Sequence, residues 1–122
     1  MSRRILAVDD EPHILKLVSF SLRAKGFDVL EATDGLSAIE IAETEQPDLI
    51  LMDVMMPACD GYEACRRLKE NPKTKHIPVV MLTAKTQVTE QKTGLDAGAL
   101  DYICKPFTPK DLVAQVNAFL GE

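Results

Sequence analysis

The sequence predicts an α/β fold built on a five-stranded parallel sheet, and three observations carry that expectation. Short apolar runs alternate with longer amphipathic stretches five times along the chain. Three of the runs, at 5–8, 49–52 and 79–82, are apolar on successive residues, the pattern of strands covered on both faces. With 122 residues the chain matches one ordinary domain, so a single unit spanning 1–122 is expected, with right-handed crossovers placing helices on both sides of the sheet.

The elements follow in order. Ile5-Leu6-Ala7-Val8 reads as the first strand. Pro12 at a first-turn position and Gly26 at the end bracket a helix with Ile14, Leu15, Val18 and Leu22 on one stripe. Val29-Leu30 marks the second strand. Asp34-Gly35 opens a second helix, with Leu36, Ile39 and Ala42 inward, that must stop before Pro47. Leu49-Ile50-Leu51-Met52 is the third strand, and a third helix runs from about Gly61 to Glu70, ahead of Asn71-Pro72. Val79-Val80-Met81-Leu82 is the fourth strand. A fourth helix, roughly Val88 to Ala97, has little to bury, because Thr86, Gln87, Thr89, Glu90, Gln91, Lys92, Thr93 and Gly94 dominate it; its local stability is expected to be low. Tyr102-Ile103-Cys104 is the fifth strand. Thr108 as N-cap and Pro109 at the first helical position start a fifth helix with Leu112, Val113, Val116, Phe119 and Leu120 as its apolar face.

Composition narrows the function classes. Hydrophobic residues make up 46% and charged residues 27%, a globular profile, and the formal charge of -5 repels nucleic acid and anionic lipid, so neither is expected as a direct ligand. Cys59, Cys65 and Cys104 form no C-x-x-C pair and have no histidine pair beside them, which argues against a zinc site or disulfide framework and fits a reducing cytoplasm. The basic start Met1-Ser2-Arg3-Arg4 leads into an apolar run that ends at Asp9, too short for a secretory or membrane segment. Arg66, Arg67, Lys69, Lys73 and Lys75 are interspersed with Glu63 and Glu70 and read as a solvated face; His13 and His76 are expected at the surface.

Ligands of open α/β sheets bind at the carboxyl ends of the strands. There the sequence places Asp9, Asp10 and Glu11 after the first strand, Asp53 after the third, Thr83 after the fourth and Lys105 after the fifth. Taken singly, each has a plainer reading: Asp10 or Glu11 as a helix cap, Thr83 as a β-branched strand residue, Lys105 as a solvated charge. Together they converge on a site with a charge of about -2, where each carboxylate pair ~4 Å apart costs roughly 4 kcal/mol at an effective dielectric of 20. A hard divalent cation that prefers oxygen, Mg2+, is the expected neutraliser. Asp53 retains an oxygen able to attack a phosphoryl group, with Lys105 and Thr83 directed at the charge that accumulates during transfer.

At these residues the chain resembles a known family. Val8-Asp9-Asp10-Glu11, Asp53-Val54-Met55-Met56-Pro57 with Asp60-Gly61, Leu82-Thr83-Ala84, and Gly98-Ala99 leading to Asp101-Tyr102-Ile103-Cys104-Lys105-Pro106-Phe107 occur in the order and spacing of the receiver domains of bacterial two-component response regulators. The resemblance spans the whole chain. It implies a flavodoxin-like, doubly wound sheet of order 2-1-3-4-5 with five helices. It implies a phosphoacceptor at Asp53, loaded by a sensor histidine kinase or phosphotransfer protein. Mg2+ would be held by Asp10, Asp53 and the backbone carbonyl of Met55, with Asp9 acting through water. Thr83 and Tyr102 would form the switch pair, altering contacts with a downstream effector at the face of the fourth helix, fifth strand and fifth helix; the chain would be a monomer or a phosphorylation-linked dimer. The resemblance also implies a cis Lys105–Pro106 bond, and roles for Met55 and Lys85 in the lifetime of the phosphoryl group, where an apolar Met55 and a long Lys85 are expected to slow self-hydrolysis.

Three rivals are weaker. An aspartyl-nucleophile phosphatase has a second acid two residues after the nucleophile, where this chain has Met55, so an enzyme with turnover is not expected. A receiver that binds partners without phosphorylation usually lacks one of Asp9, Asp10, Asp53, Thr83 and Lys105, all present here. A flavin carrier needs a phosphate-cradling loop after the first strand, and none is there.

Overall fold

The computed structural model describes residues 3–54, 56, 59–84 and 97–121. Among these lie strands β1 (Arg4–Val8), β2 (Asp28–Ala32), β3 (Leu49–Asp53), β4 (Val79–Ala84) and β5 (Asp101–Lys105), and helices α1 (Pro12–Arg23), α2 (Gly35–Glu45), α3 (Gly61–Glu70) and α4 (Pro109–Leu120). The fifth helix of the sequence reading is therefore α4. The expected fourth helix lies outside the described residues apart from Ala97, which is in a turn. No described helix is long and apolar enough to cross a membrane.

All strand pairs are parallel, in the order β2-β1-β3-β4-β5. β3 is buried at every position and β1 at all but Arg4, which is why both read as continuous apolar runs. Each face has its own core. Leu15, Val18 and Leu22 of α1 and Leu112 and Val116 of α4 pack with Ile5, Leu51 and Leu82 on one side; Ala38 and Ala42 of α2 and Ala64, Cys65 and Leu68 of α3 pack with Leu6, Ile50 and Met81 on the other.

Local chemistry sets most helix starts. Asp34 caps α2 by accepting from the Ser37 N–H at 2.8 Å, Asp60 caps α3 through the Glu63 N–H at 2.9 Å, and Thr108 caps α4 through the Asp111 N–H at 3.0 Å. α1 begins with Pro12 at its first turn as expected, but it ends at Arg23; Gly26, with φ of 93°, belongs to the turn beyond. Leu36 corrects the expectation for α2: it points outward and is 50% exposed. Its neighbour Gly35 faces inward instead, because a Cβ there would stand 2.6 Å from the Cys59 carbonyl oxygen, and the small residues Gly35, Ala38 and Ala42 let the helix lie close to the core.

Candidate functional site

Parallel register assembles the site. Val8 pairs with Met52, so Asp9 and Asp53 emerge side by side at the carboxyl end of the sheet; Thr83 pairs with Cys104, and Ala84 with Lys105. Asp53 and Lys105 close their strands and Thr83 is the last residue but one of β4, so none of the three is, as the sequence reading had it, the first residue beyond its strand. The Lys105–Pro106 peptide is cis, as the resemblance implied.

Asp9, Asp53 and Thr83 are buried, Lys105 is half-buried and Asp10 is exposed. Lys105 Nζ donates to Asp53 Oδ1 at 2.6 Å and to Asp9 Oδ2 at 3.3 Å. The other Asp9 oxygen accepts from the Glu11 N–H at 2.9 Å. Capping thus does not explain the acidic cluster: Glu11 is the N-cap residue of α1 but makes no side-chain cap bond, and the carboxylate that organises the turn is Asp9. Ligand oxygens of Asp9, Asp10 and Asp53 lie within 4.8 Å of one another.

The Lys105 ammonium is therefore shared by Asp9 and Asp53, with the Asp10 carboxylate close by. Burial pushes the Asp53 carboxyl up from 3.8 to about 6; the hydrogen bond and charge of Lys105 oppose the rise, and the charges of Asp9 and Asp10 add to it. Burial draws the Lys105 amine down, but its hydrogen bond to Asp53 and the charges of Asp53 and Asp9 outweigh that, so it too moves up. Lys105 gains from two carboxylates, whereas Asp53 must share its ammonium with Asp9. Crowded carboxylate oxygens with surplus negative charge are the donor set that a hard cation such as Mg2+ takes.

Thr83 and Tyr102, expected to form a switch, lie on neighbouring strands and on one face of the sheet. Met81 pairs with Tyr102 in register, and Met81 and Tyr102 pack into the same core. Side chains two apart on a strand share a face, so Thr83 lies on the Tyr102 side of the sheet, one step nearer the acidic cluster. Met55 and Lys85, which the sequence reading assigned to the metal and to phosphoryl lifetime, lie outside the described residues. His13 and His76 are exposed, as expected. Cys59 and Cys65 are buried, and burial pushes both thiols up, Cys65 to about 11, so neither is activated as a thiolate.

Two features escaped the sequence reading. Gly61 opens α3 against the end of β3: its N–H donates to the Val54 carbonyl at 3.0 Å, and a Cβ would overlap the Asp53 carbonyl oxygen. Its place directly after the cap Asp60 was the available signal. The other is Phe20, 77% exposed and off the buried stripe of α1, beside an apolar groove of about 700 Å3 between α1 and α4. A smaller cavity of about 300 Å3, lined by Ile14, Leu17, Lys105, Pro106 and Phe107, opens next to the site.

A sequence profile described as the response regulator receiver domain matches residues 5–117. The chain belongs to the response regulator receiver family. Among its relatives is the alkaline phosphatase synthesis transcriptional regulatory protein PhoP of Bacillus subtilis, 45% identical over 120 residues, covering 98% of this chain and 49% of PhoP. The receiver spans about half the length of the curated relatives it matches. Similar solved structures include the chemotaxis protein CheY4 of Vibrio cholerae, 32% identical with a TM-score of 0.91, covering 97% of this chain and 98% of that one. Another is the receiver domain of the sensor histidine kinase PA1611 from Pseudomonas aeruginosa, 32% identical with a TM-score of 0.91 over 100% of both chains, described with a magnesium ion coordinated in its active-site cleft. The protein is a receiver of the two-component type, a signalling domain.

Proposed function

We propose that this receiver, taken as a single unit over 1–122, accepts a phosphoryl group on Asp53. The donor is the phosphohistidine of a sensor kinase or phosphotransfer protein in the same cytoplasm. A carboxylate oxygen of Asp53 bonds to phosphorus as the bond from phosphorus to the donor nitrogen breaks, the electron pair leaving with the imidazole, which then takes a proton. The observation that carries this reading is the clustering of Asp9, Asp10 and Asp53 at the carboxyl end of the sheet, with the Lys105 ammonium paired to Asp9 and Asp53.

Each residue then has a task. Asp10 and Asp53, with the carbonyl of Met55, hold Mg2+, which supplies charge neutralisation for the incoming phosphoryl oxygens. Both oxygens of Asp9 already have protein partners, which supports a role through water. Lys105 and the Thr83 hydroxyl stabilise charge on the transferred group. The cavity beside Lys105 gives a donor protein an apolar shelf at the mouth of the site. The switch runs through Thr83, drawn toward the phosphoryl group, and Tyr102 beside it, and changes how the β5 and α4 face receives an effector.

Intact-mass spectrometry after incubation with Mg2+ and acetyl phosphate or phosphoramidate tests this. One phosphoryl adduct on the wild type, absent from Asp53→Ala and from a metal-free sample, is the expected result. No adduct with several small donors and rapid sampling would leave a receiver that binds its partners without phosphorylation.

A further inference from the structure

Three residues on one stripe of α3, Gly61, Cys65 and Lys69, are spaced four apart and so follow one another along a single helix face. At the first, the helix rests on the acceptor: Gly61 touches the Asp53 carbonyl so closely that no side chain fits. At the second, the buried Cys65 thiol donates to the Ala97 carbonyl at 3.6 Å. At the third, the stem of Lys69 lies over Gly98; a Cβ there would stand 2.8 Å from Lys69 Cγ, and the φ of 101° at Gly98 independently calls for glycine. Lys69 has a defined seat, because Nζ donates to the carbonyls of Ile77 at 2.5 Å and Lys75 at 3.3 Å. The turn gripped in this way leads straight into β5, since the Leu100 N–H donates to the Val79 carbonyl at 2.7 Å and the strand begins at Asp101. β5 carries Tyr102 and Lys105.

We propose that this stripe of α3 is a strut coupling the acceptor end of β3 to the Ala97–Leu100 turn, with Lys69 as a positioning residue that acts on β5 through Gly98. The strut is about 12 Å long over the eight residues from Gly61 to Lys69. A helix of that length transmits a shift of its N-terminus better than a loop does, because its backbone is internally bonded. This route is separate from the one proposed through Thr83 and Tyr102: it reaches β5 from its opposite end, through α3. It rests on the receiver reading, because the ligand that moves the acceptor is a phosphoryl group. Coupling is reciprocal, so loosening the grip on Gly98 changes how tightly the acceptor site binds its ligand.

The test uses beryllofluoride with Mg2+ as the phosphoryl mimic and follows backbone amides by NMR in the wild type, Lys69→Ala and Lys69→Met. In the wild type, the amides of Gly98 and Leu100 shift on binding together with those flanking Asp53. In Lys69→Ala the amides flanking Asp53 still shift, those of Gly98 and Leu100 no longer do, and affinity rises roughly three- to thirty-fold because the ligand no longer has to displace the turn. Lys69→Met keeps the stem over Gly98 and keeps the wild-type response, which loss of stability alone would not explain. Unmoved Gly98 and Leu100 amides in a wild type that binds beryllofluoride overturn the strut and leave the receiver reading standing, as does a Lys69→Ala variant that matches wild type in both readouts. A wild type that binds no beryllofluoride overturns the receiver reading, and the strut with it. If Lys69→Ala does not fold, Cys65→Ala, which removes the bond to Ala97, is expected to diminish the same amide shifts, and an undiminished response overturns the proposal.

Discussion

Replacing Asp53 by Asn should stabilise the metal-free protein at neutral pH, and by an amount that depends on pH in a defined way. In the folded chain the Asp53 carboxyl titrates at about 6, against 3.8 when unperturbed. Below the unfolded value both states hold the proton and Asp53 costs nothing. Between 3.8 and about 6 the unfolded chain loses its proton while the folded one keeps it, so stability falls as pH rises; above that window the loss is complete. At about 1.4 kcal/mol per unit, the full loss is about 3 kcal/mol. Asn is close to isosteric and cannot ionise, so the gap between variant and wild type should widen by about 2.5 kcal/mol from pH 4 to pH 8. Urea titrations in chelator across that range measure the gap directly, and in thermal melts it corresponds to on the order of 10 °C. A gap that stays flat with pH, or that narrows toward pH 8, would mean that the Lys105 pair outweighs burial, and the electrostatic account of the site would be wrong.

Other consequences can be checked with the same tools. Mg2+ at ten times its Kd should stabilise the wild type by about 1.4 kcal/mol at pH 8 and the Asp53→Asn variant by less, as read from urea midpoints. Lys105→Met, which keeps the aliphatic stem, should slow phosphorylation by acetyl phosphate on the order of 100-fold, measured by intact mass against time, because it removes the ammonium that donates to Asp53. Gly61→Ala should cost about 2 kcal/mol or more in denaturant titrations, since the new methyl meets the Asp53 carbonyl, a backbone atom that cannot swing aside. Thr108→Ala should cost about 1 kcal/mol through the lost cap of α4 and, since its side chain caps the helix through the Asp111 N–H, leave phosphorylation rates unchanged.

Legibility in the sequence followed physical cause. β1 and β3 were readable because they are buried on both faces and leave no alternation to confuse them with loops. The acidic residues were readable because carboxylates directly after apolar runs have few plain explanations when several occur together. The strand order was not readable from pattern at all; it came from the resemblance, since any of several orders buries the same runs. Leu36 misled because hydrophobicity marks a helix face only where side chains do the packing. In α2 it is backbone that approaches the Cys59 loop, so the inward stripe is made of glycine and alanine and the large apolar residue is left outside. The end of α1 was placed too late for a related reason. Gly26 marks the left-handed turn, while the helix ends at Arg23, and residues 24–26 turn back through their own amides to the Phe20, Leu22 and Arg23 carbonyls.

The electrostatic cost at Asp53 and the proposed function are two sides of one arrangement. A carboxylate with its own full complement of partners would sit well below 3.8, stabilise the fold and give a cation little to improve; Asp53 sits at about 6 because Lys105 is shared with Asp9 and burial dominates. The charge left uncompensated is what a divalent cation relieves, so metal affinity and acid-dependent stability must change together across substitutions at Asp9, Asp10 and Lys105. Phosphorylation would replace one negative charge at this position with a group of about -2, against the same Lys105 ammonium. The added repulsion makes the resting arrangement of the β4 and β5 ends worse unless a donor such as the Thr83 hydroxyl turns inward to meet it. A site already relieved of its strain would bind the same ligands with less consequence for β5, and so the destabilisation that chelator exposes at neutral pH is the source of the free energy that a switch of this kind can release.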